Sequence, residues 1–201
     1  FEKRTGKAGI INVLAEKSVV PFLIFTDANV FFEENTIFEL VKHFKNNKIG
    51  VVSANIVNET YKKEGISYQE KTYLELEKNL KNNEGKVWGT MIGAFGGCYA
   101  IRKDQFVPVP TNYLMDDFFI SMNVFFNHKN AILNMKALCF EDVSDKLSEE
   151  FRRKIRISAG NFQNLFAYKK LLFNPFSPIA FTFISHKVLR WKTPFLLITL
   201  F

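Results

Sequence analysis

Cysteine is scarce: Cys98 and Cys139 are the only two in 201 residues, so neither a disulfide framework nor a cysteine-based zinc site is indicated. There is no internal repeat and no low-complexity linker, which excludes a repeat array. The closing apolar run, 194–201, is eight residues long, far short of the roughly 20 that span a bilayer. No initiator Met and no charged-then-apolar leader opens the chain, and it stops inside that apolar run, so it reads as a fragment. Acidic residues are absent altogether from 151–201.

What is present belongs to a folded domain. A hydrophobic share of 47% with 23 Phe excludes a disordered chain, because ample apolar surface is available to offset chain entropy. A mass of 23.3 kDa suits one domain with a real core. The net charge of +7 is unevenly held. Residues 151–201 carry nine Lys or Arg, whereas 1–150 carry 18 basic and 20 acidic residues. A near-neutral body thus precedes a basic, aromatic tail suited either to nucleic acid or to anionic lipid headgroups. Nine Phe in the tail, and Phe181, Ile184, Val188 and Trp191 at helical spacing with Lys187 and Arg190 beside them, favour the membrane interface.

The body alternates strand-like and helix-like patterns, which predicts an α/β fold with a mostly parallel sheet. Val19 to Phe25 reads as a buried strand closed by the polar Thr26-Asp27-Ala28-Asn29. Thr36 to Lys45 reads as a helix with Ile37, Leu40, Val41 and Phe44 on one face, and Ile49 to Val57 as a second strand. Ile66 to Leu80 reads as a solvent-facing amphipathic helix with its apolar residues at 66, 73, 76 and 80. Met91 to Arg102 is a strand-like run broken by Gly93, Gly96 and Gly97, where glycines mark a bulge or a close backbone approach. Ala131 to Glu141 is a further strand. Leu147 to about Leu172 is the longest helix, with Phe151, Ile155, Ser158, Phe162 and Leu165 inward. Asn174-Pro175-Phe176-Ser177-Pro178 separates a body, 1–173, from a tail, 174–201.

Three places carry chemistry. Asp27 and Asn29, beyond a strand's carboxyl end, either cap a turn or present two oxygen donors to one hard cation such as Mg²⁺ or Mn²⁺. Asp116 and Asp117 stand at a helix start, where they either cap it or supply a general base for a sugar hydroxyl. Arg152, Arg153 and Arg156 share a helix face and either coat a solvated surface or converge on phosphate. Lys7, in the glycine-flanked basic stretch Lys3-Arg4-Thr5-Gly6-Lys7, is a weaker phosphate candidate.

Taken in order, Lys7-Ala8-Gly9-Ile10-Ile11-Asn12, Phe25-Thr26-Asp27-Ala28-Asn29, Gly93 through Arg102, Met115-Asp116-Asp117 and Arg153-Lys154-Ile155-Arg156 resemble the family 2 glycosyltransferases. The likeness is strongest to the membrane-associated branch that includes cellulose, chitin and hyaluronan synthases. The resemblance implies a GT-A, Rossmann-like nucleotide-binding sheet, with strands on the order of 100 residues expected before Phe1 and this stretch inactive without them. It implies inverting sugar transfer from a nucleotide-diphosphate sugar to a hydroxyl of a glycan or lipid acceptor. Asp117 falls on the catalytic base and Asp116 on its acidic neighbour. Asp27 falls on the metal-binding aspartate, while Asn29 stands where a second Asp is usual. Arg153, Arg156 and Ile157 occupy the Gln, Arg and Trp positions of a Gln-x-x-Arg-Trp motif, with Lys7, Arg153 and Arg156 toward the donor diphosphate and Asn12 near the nucleotide. Gly96, Gly97 and Tyr99 match the segment lining the acceptor site. The same resemblance implies a divalent metal, no nucleic acid, and a bacterial-type inner or plasma membrane with the catalytic domain on the cytoplasmic side. Residues 174–201 would then be an amphipathic interface helix running into a transmembrane segment. Two other readings stay open: a non-enzymatic basic module on membrane or nucleic acid, and a nucleotidyltransferase on a similar fold.

Overall fold

The structure is a computed structural model that describes residues 5–58, 66–141 and 147–200. Lys3, Arg4, Phe201 and the side chain of Ile66 lie outside the described residues. Five strands form one sheet: β1 (Phe22–Thr26), β2 (Val30–Phe32), β3 (Ile49–Asn58), β4 (Cys98–Arg102) and β5 (Asn130–Glu141), in the order β1-β4-β3-β5-β2. Val19 and Val20 are exposed, and the first strand begins only at Phe22.

The sheet is mixed, not mostly parallel. β3 and β5 pair in parallel, with Val52 opposite Ile132 and Ile56 opposite Cys139. β4 lies antiparallel between β1 and β3, and β2 antiparallel on β5. The reason lies in the stretch before β4. Thr90 bridges Ala131 in parallel and Met91 N–H bonds the Ala131 carbonyl, and the chain then runs outside the ladder until Gly97 reaches Ile56 and Glu141. β4 therefore has to return in the opposite sense. The carboxyl ends of β1, β3 and β5 and the glycine-rich amino end of β4 consequently share one edge.

Both sheet faces are covered, as the alternation along β4 shows. Tyr99 and Ile101 join one apolar cluster with Ala8, Ile11, Val51 and Ile120, while Cys98 and Ala100 join the other with Leu40, Phe44, Val52 and Cys139. The first cluster is roofed by α1 (Gly6–Lys17) and α4 (Asp116–Asn123), the second by α2 (Thr36–Val41) and the 3₁₀ turn Lys42–Lys45. Leu40 and Phe44 are buried as predicted, whereas Ile37 points to solvent.

Helix α3 (Ile66–Trp88) inverts the predicted amphipathicity. Tyr73, Leu76 and Leu80 are exposed, and Glu77, Lys78, Lys81 and Glu84 are buried. The charged face turns inward because it meets charges arriving from the chain's far end. Glu77 Oε1 lies 2.6 Å from Lys187 Nζ, and its Oε2 lies 2.7 Å from Arg190 Nη1 and 3.0 Å from His186 Nε2. His186 Nδ1 sits 2.6 Å from Glu84 Oε1.

The second long helix, α5 (Leu147–Ala167), is also turned relative to its predicted face. Phe151, Ile155 and Ser158 are exposed and only Phe162 and Leu165 are partly covered. Its inner stripe is Glu150, Ile157, Gly160 and Asn164, with Gly160 pressed on Met115 so closely that a Cβ would lie 2.4 Å from Met115 Cγ. Beyond a turn at Asn174–Ser177, Ser177 caps α6 (Pro178–Thr182) by accepting from Ala180 N–H. A π-helical turn, Phe183–Val188, leads into α7 (Leu189–Leu200).

The wider π turn rotates the stripe expected to face lipid. Of that stripe, Val188 is buried together with Phe183 against Ile92, Phe118, Met122 and Tyr168, Ile184 and Trp191 are partly covered, and Phe181 stays exposed, while Lys187 and Arg190 face Glu77. The side chains of Phe195, Leu196, Leu197, Ile198 and Leu200 are exposed. Among the described residues no helix is long and apolar enough to cross a membrane.

The Glu77 contacts set a stability expectation. Burial favours the neutral acid, but Lys187, His186 and Lys81 outweigh it and hold the Glu77 carboxyl far below the ordinary range. A depressed carboxyl stabilises the fold above its unfolded pKa, and that contribution fades as pH falls. Glu77→Leu, which leaves these cations uncompensated, is expected to cost about 3–5 kcal/mol in urea unfolding at pH 7. The deficit should narrow below about pH 4, where the wild type loses the same contribution.

Candidate active site

The shared edge of the sheet opens into a cleft of about 620 Å³. Its floor begins where β1 ends. Asp27 N–H donates to the Gly97 carbonyl at 3.1 Å, the Thr26 hydroxyl donates to the same oxygen at 3.1 Å, and Val30 N–H closes the turn on the Asp27 carbonyl. These bonds fasten the Asp27-Ala28-Asn29 turn to the glycine segment. From the first turn of α1, Lys7 Nζ reaches Asp27 Oδ1 at 3.1 Å and Asp116 Oδ2 at 3.5 Å. Burial works against its charge, but Asp116 and Asp27 outweigh it and hold the ammonium above its ordinary value.

Asp116 and Asp117 open α4, where the helix dipole favours negative charge. Asp116 is buried and Asp117 half-buried at the cleft surface. Burial and then the Asp116 charge raise the Asp117 carboxyl above its usual range, opposed by a hydrogen bond from Phe118 N–H and by Lys7 and Lys81. The glycine segment makes room for it. A Cβ on Gly96 would sit 2.6 Å from Asp117 Oδ2, and one on Gly93, whose φ is +71°, would meet the Phe118 ring at 2.6 Å. Buried Lys81 donates to the Gly93 carbonyl, with its ammonium 4.4 Å from the centre of the Phe95 ring. Its burial and the neighbouring Lys187 pull it down to about 8.

The facing wall comes from α5. Arg153 is held by Glu150, Nε to Oε2 at 2.8 Å and Nη2 to Oε1 at 3.2 Å, while Arg156 has no ion pair among the described residues. Ile157 lines the cleft beside them, and Arg152 does not.

Nine of the ten predicted site residues, Lys7, Asp27, Asn29, Gly96, Gly97, Asp116, Asp117, Arg153 and Arg156, therefore line one cleft. The tenth, Tyr99, does not: it lies in the core at 1% exposure, and its hydroxyl has no hydrogen-bond partner among the described residues. Asn12 is spent on the scaffold, its amide paired with Val109 N–H and carbonyl at 2.8 Å each.

The cleft also has lining residues that sequence reasoning misses: Glu141, Tyr73, Glu77, Lys81, Lys187, Arg190 and Trp191. For Glu141 a signal exists, since it ends a strand much as Asp27 comes just after one. Asn29 Nδ2 donates to Glu141 Oε1 at 3.4 Å, which leaves the Asn29 amide oxygen without a partner among the described residues. No group of three or more His, Cys, Asp or Glu side chains that would enclose a metal ion is found among the described residues. Asp27 and Asn29 nonetheless form a set of hard oxygen donors, which suits a cation taking most of its ligands from water and a bound anion.

No protein-family profile and no curated protein matches the chain. Among solved structures it is similar to a mannosyltransferase, PcManGT from Pyrobaculum calidifontis, in complex with GDP-Man and Mn²⁺. The TM-score is 0.66 at 21% identity, over 89% of this chain and 48% of that one. A mycobacterial protein (TM-score 0.44, 16% identity, 73% of this chain, 47% of that) is more distant. So is glucosyl-3-phosphoglycerate synthase from Mycobacterium tuberculosis in complex with Mg²⁺ and UDP (TM-score 0.42, 15%, 74% and 50%). The chain spans about half the length of each. The first similarity shows that the chain shares the α/β fold of that mannosyltransferase.

The charges around Asp117 can be read directly by NMR titration of its carboxyl carbon. Asp116→Asn is expected to lower the Asp117 midpoint and Lys7→Met to raise it, because the first removes a like charge and the second an opposite one.

Proposed function

We propose that the protein transfers a sugar, with inversion, from a nucleotide-diphosphate sugar to an acceptor hydroxyl. The observation that carries this reading is the convergence of residues scattered from Lys7 to Arg156 on one cleft at the carboxyl edge of a glycosyltransferase-type sheet. Asp117 takes the proton of the attacking hydroxyl. Its raised proton affinity brings it closer to working pH, which is what a general base needs. Asp116 supplies part of that effect and is itself fixed by Lys7.

The absence of a side chain at Gly96 lets the backbone come close to Asp117, where the acceptor hydroxyl would meet the carboxylate. On the donor side, Arg156 and Lys7 meet diphosphate oxygens, and Arg153 joins them while tethered to Glu150. Asp27 and Asn29 would hold a divalent ion, Mg²⁺ or Mn²⁺, which would supply positive charge beside the diphosphate. Attack from the side facing Asp117, opposite that diphosphate, inverts the anomeric carbon.

The proposed setting is the cytoplasmic face of a membrane. Supporting it are the exposed apolar side chains of α7, from Phe195 to Leu200, and the lack of any acidic residue after Glu150. Mixing the protein with vesicles containing anionic lipid should pull it down with them, and Phe195→Ser with Ile198→Ser should release it.

The decisive assay is a screen of nucleotide sugars with the full-length protein in detergent, Mg²⁺ or Mn²⁺ and mixed glycan or lipid acceptors, reading the released nucleotide. Nucleoside diphosphate is expected from at least one donor, with Asp117→Asn slowing it roughly 10²–10⁴-fold and chelation abolishing it. Pyrophosphate release would indicate nucleotidyl transfer instead, and no release from any donor would overturn the reading.

A further inference from the structure

Glu141 lines the cleft beside Asn29, and the proposed chemistry does not use it. We propose that Glu141 is a positioning residue: it holds the Asn29 side chain by its amide nitrogen and so keeps the amide oxygen turned away from itself, available as a cation ligand alongside Asp27. This rests on the reading that Asp27 and Asn29 take a divalent ion, and it names the group that orients the neutral one of the two.

Strand pairing fixes where Glu141 stands. It closes β5, opposite Val30 of β2 on one side and Asn58 of β3 on the other. Asn29 directly precedes Val30, so the register delivers both side chains to the same end of the sheet. The backbone around them is fastened. Asp27 N–H donates to the Gly97 carbonyl and Val30 N–H to the Asp27 carbonyl, and Glu141 Oε2 lies 3.5 Å from where a Cβ on Gly97 would stand. These bonds set the turn but not the rotation of the Asn29 side chain, which is exposed.

Glu141 supplies that last constraint. Asn29 Nδ2 lies 3.4 Å from Glu141 Oε1. Only the nitrogen end of the amide can face a carboxylate, because its oxygen there would set acceptor against acceptor. An amide without such a partner presents either end by turning about one bond, and only the oxygen end serves a cation. The same contact accounts for an amide at the position where the family resemblance implies a second Asp. A carboxylate at 29 would face Glu141 across this gap, acid against acid, whereas the amide meets it as a donor.

Three variants of the full-length protein in detergent test the assignment: Glu141→Leu, which removes the acceptor, Glu141→Gln, whose side-chain oxygen can still accept, and Asn29→Ala. In metal-free protein carrying isotope-labelled asparagine, the side-chain amide signal of Asn29 is identified by its loss in Asn29→Ala. It should move in Glu141→Leu and stay closer to its wild-type position in Glu141→Gln. Titration with Mn²⁺ alone, read from the electron spin resonance of the free ion, should show binding weakened roughly tenfold in Glu141→Leu and largely restored in Glu141→Gln. Adding Glu141→Leu to Asn29→Ala should cost nothing further, because no oxygen is left to orient. Circular dichroism checks that each variant is folded, and Glu141→Ala replaces Glu141→Leu if the latter is not. The proposal fails if the amide signal ignores Glu141→Leu or if the two losses of Mn²⁺ binding add. It also fails if Glu141→Gln binds Mn²⁺ as weakly as Glu141→Leu, since Glu141 would then act through its own charge. If the amide signal follows the expected order and the wild type binds no Mn²⁺, the Asn29–Glu141 pair stands and the metal reading falls.

Discussion

A carboxylate removed from water must be surrounded by its counterions, and around Glu77 that requirement organises much of the molecule. It lies midway along α3, buried, and draws Lys187, Arg190 and His186 out of the C-terminal segment onto the body. One turn on, Lys81 donates to the Gly93 carbonyl and Glu84 accepts from Ile92 N–H, so the same helix face also pins the backbone that leads into the glycine segment. The placement of Gly96 beside Asp117 and of Trp191 beside Phe118 both descend from this buried polar face. Such a network is costly unless each member is satisfied, and here the carboxylate oxygens of Glu77 and Glu84 meet partners from three different stretches of chain.

The cleft is electrically divided. On the strand side stand Asp27, Asp116, Asp117 and Glu141, with Lys7 bridging two of them. On the α5 side stand Arg153 and Arg156. The two sides of the cleft thus carry opposite charge, and beside burial the Asp116 charge helps raise the neighbouring Asp117 carboxyl. Lys7 has a double task in this arrangement, since its position between Asp27 and Asp116 relieves repulsion across the floor.

The parts legible in the sequence are those whose local chemistry is direction-independent. Asp27 and Asn29 after an apolar run, the acid pair at a helix start and the Arg153/Arg156 spacing are local patterns that need only their immediate neighbours, and the structure brings them to one cleft. The running sense of β4 is illegible: a buried strand of alternating small and large side chains looks the same in both directions, and the deciding contact, Thr90 with Ala131, is a long-range one. The faces of α3 and α5 mislead for a different reason. Their inner stripes are polar, Glu77-Lys81-Glu84 and Glu150-Gly160-Asn164, and apolar periodicity points away from a face that is buried through pairing and close packing. Helical spacing puts Trp191 on a lipid-facing stripe, and past the π turn Val188 and Trp191 of that stripe pack on the body.

The antiparallel insertion of β4 is also what makes the site possible. Had β4 run parallel to β3, its amino end and the Gly93–Gly97 approach would lie at the opposite edge of the sheet, away from Asp27 and Glu141. Reversal brings a backbone without side chains at Gly96 and Gly97 to the one edge where the carboxylates gather, with Gly96 close against Asp117. Cys98, the next residue in the ladder after the two glycines, is sealed in the core, and Tyr99 beyond it faces the opposite cluster. The transition from open cleft to closed core is therefore complete within a few residues, and the segment can border a substrate on one side while its next residues anchor both faces of the sheet.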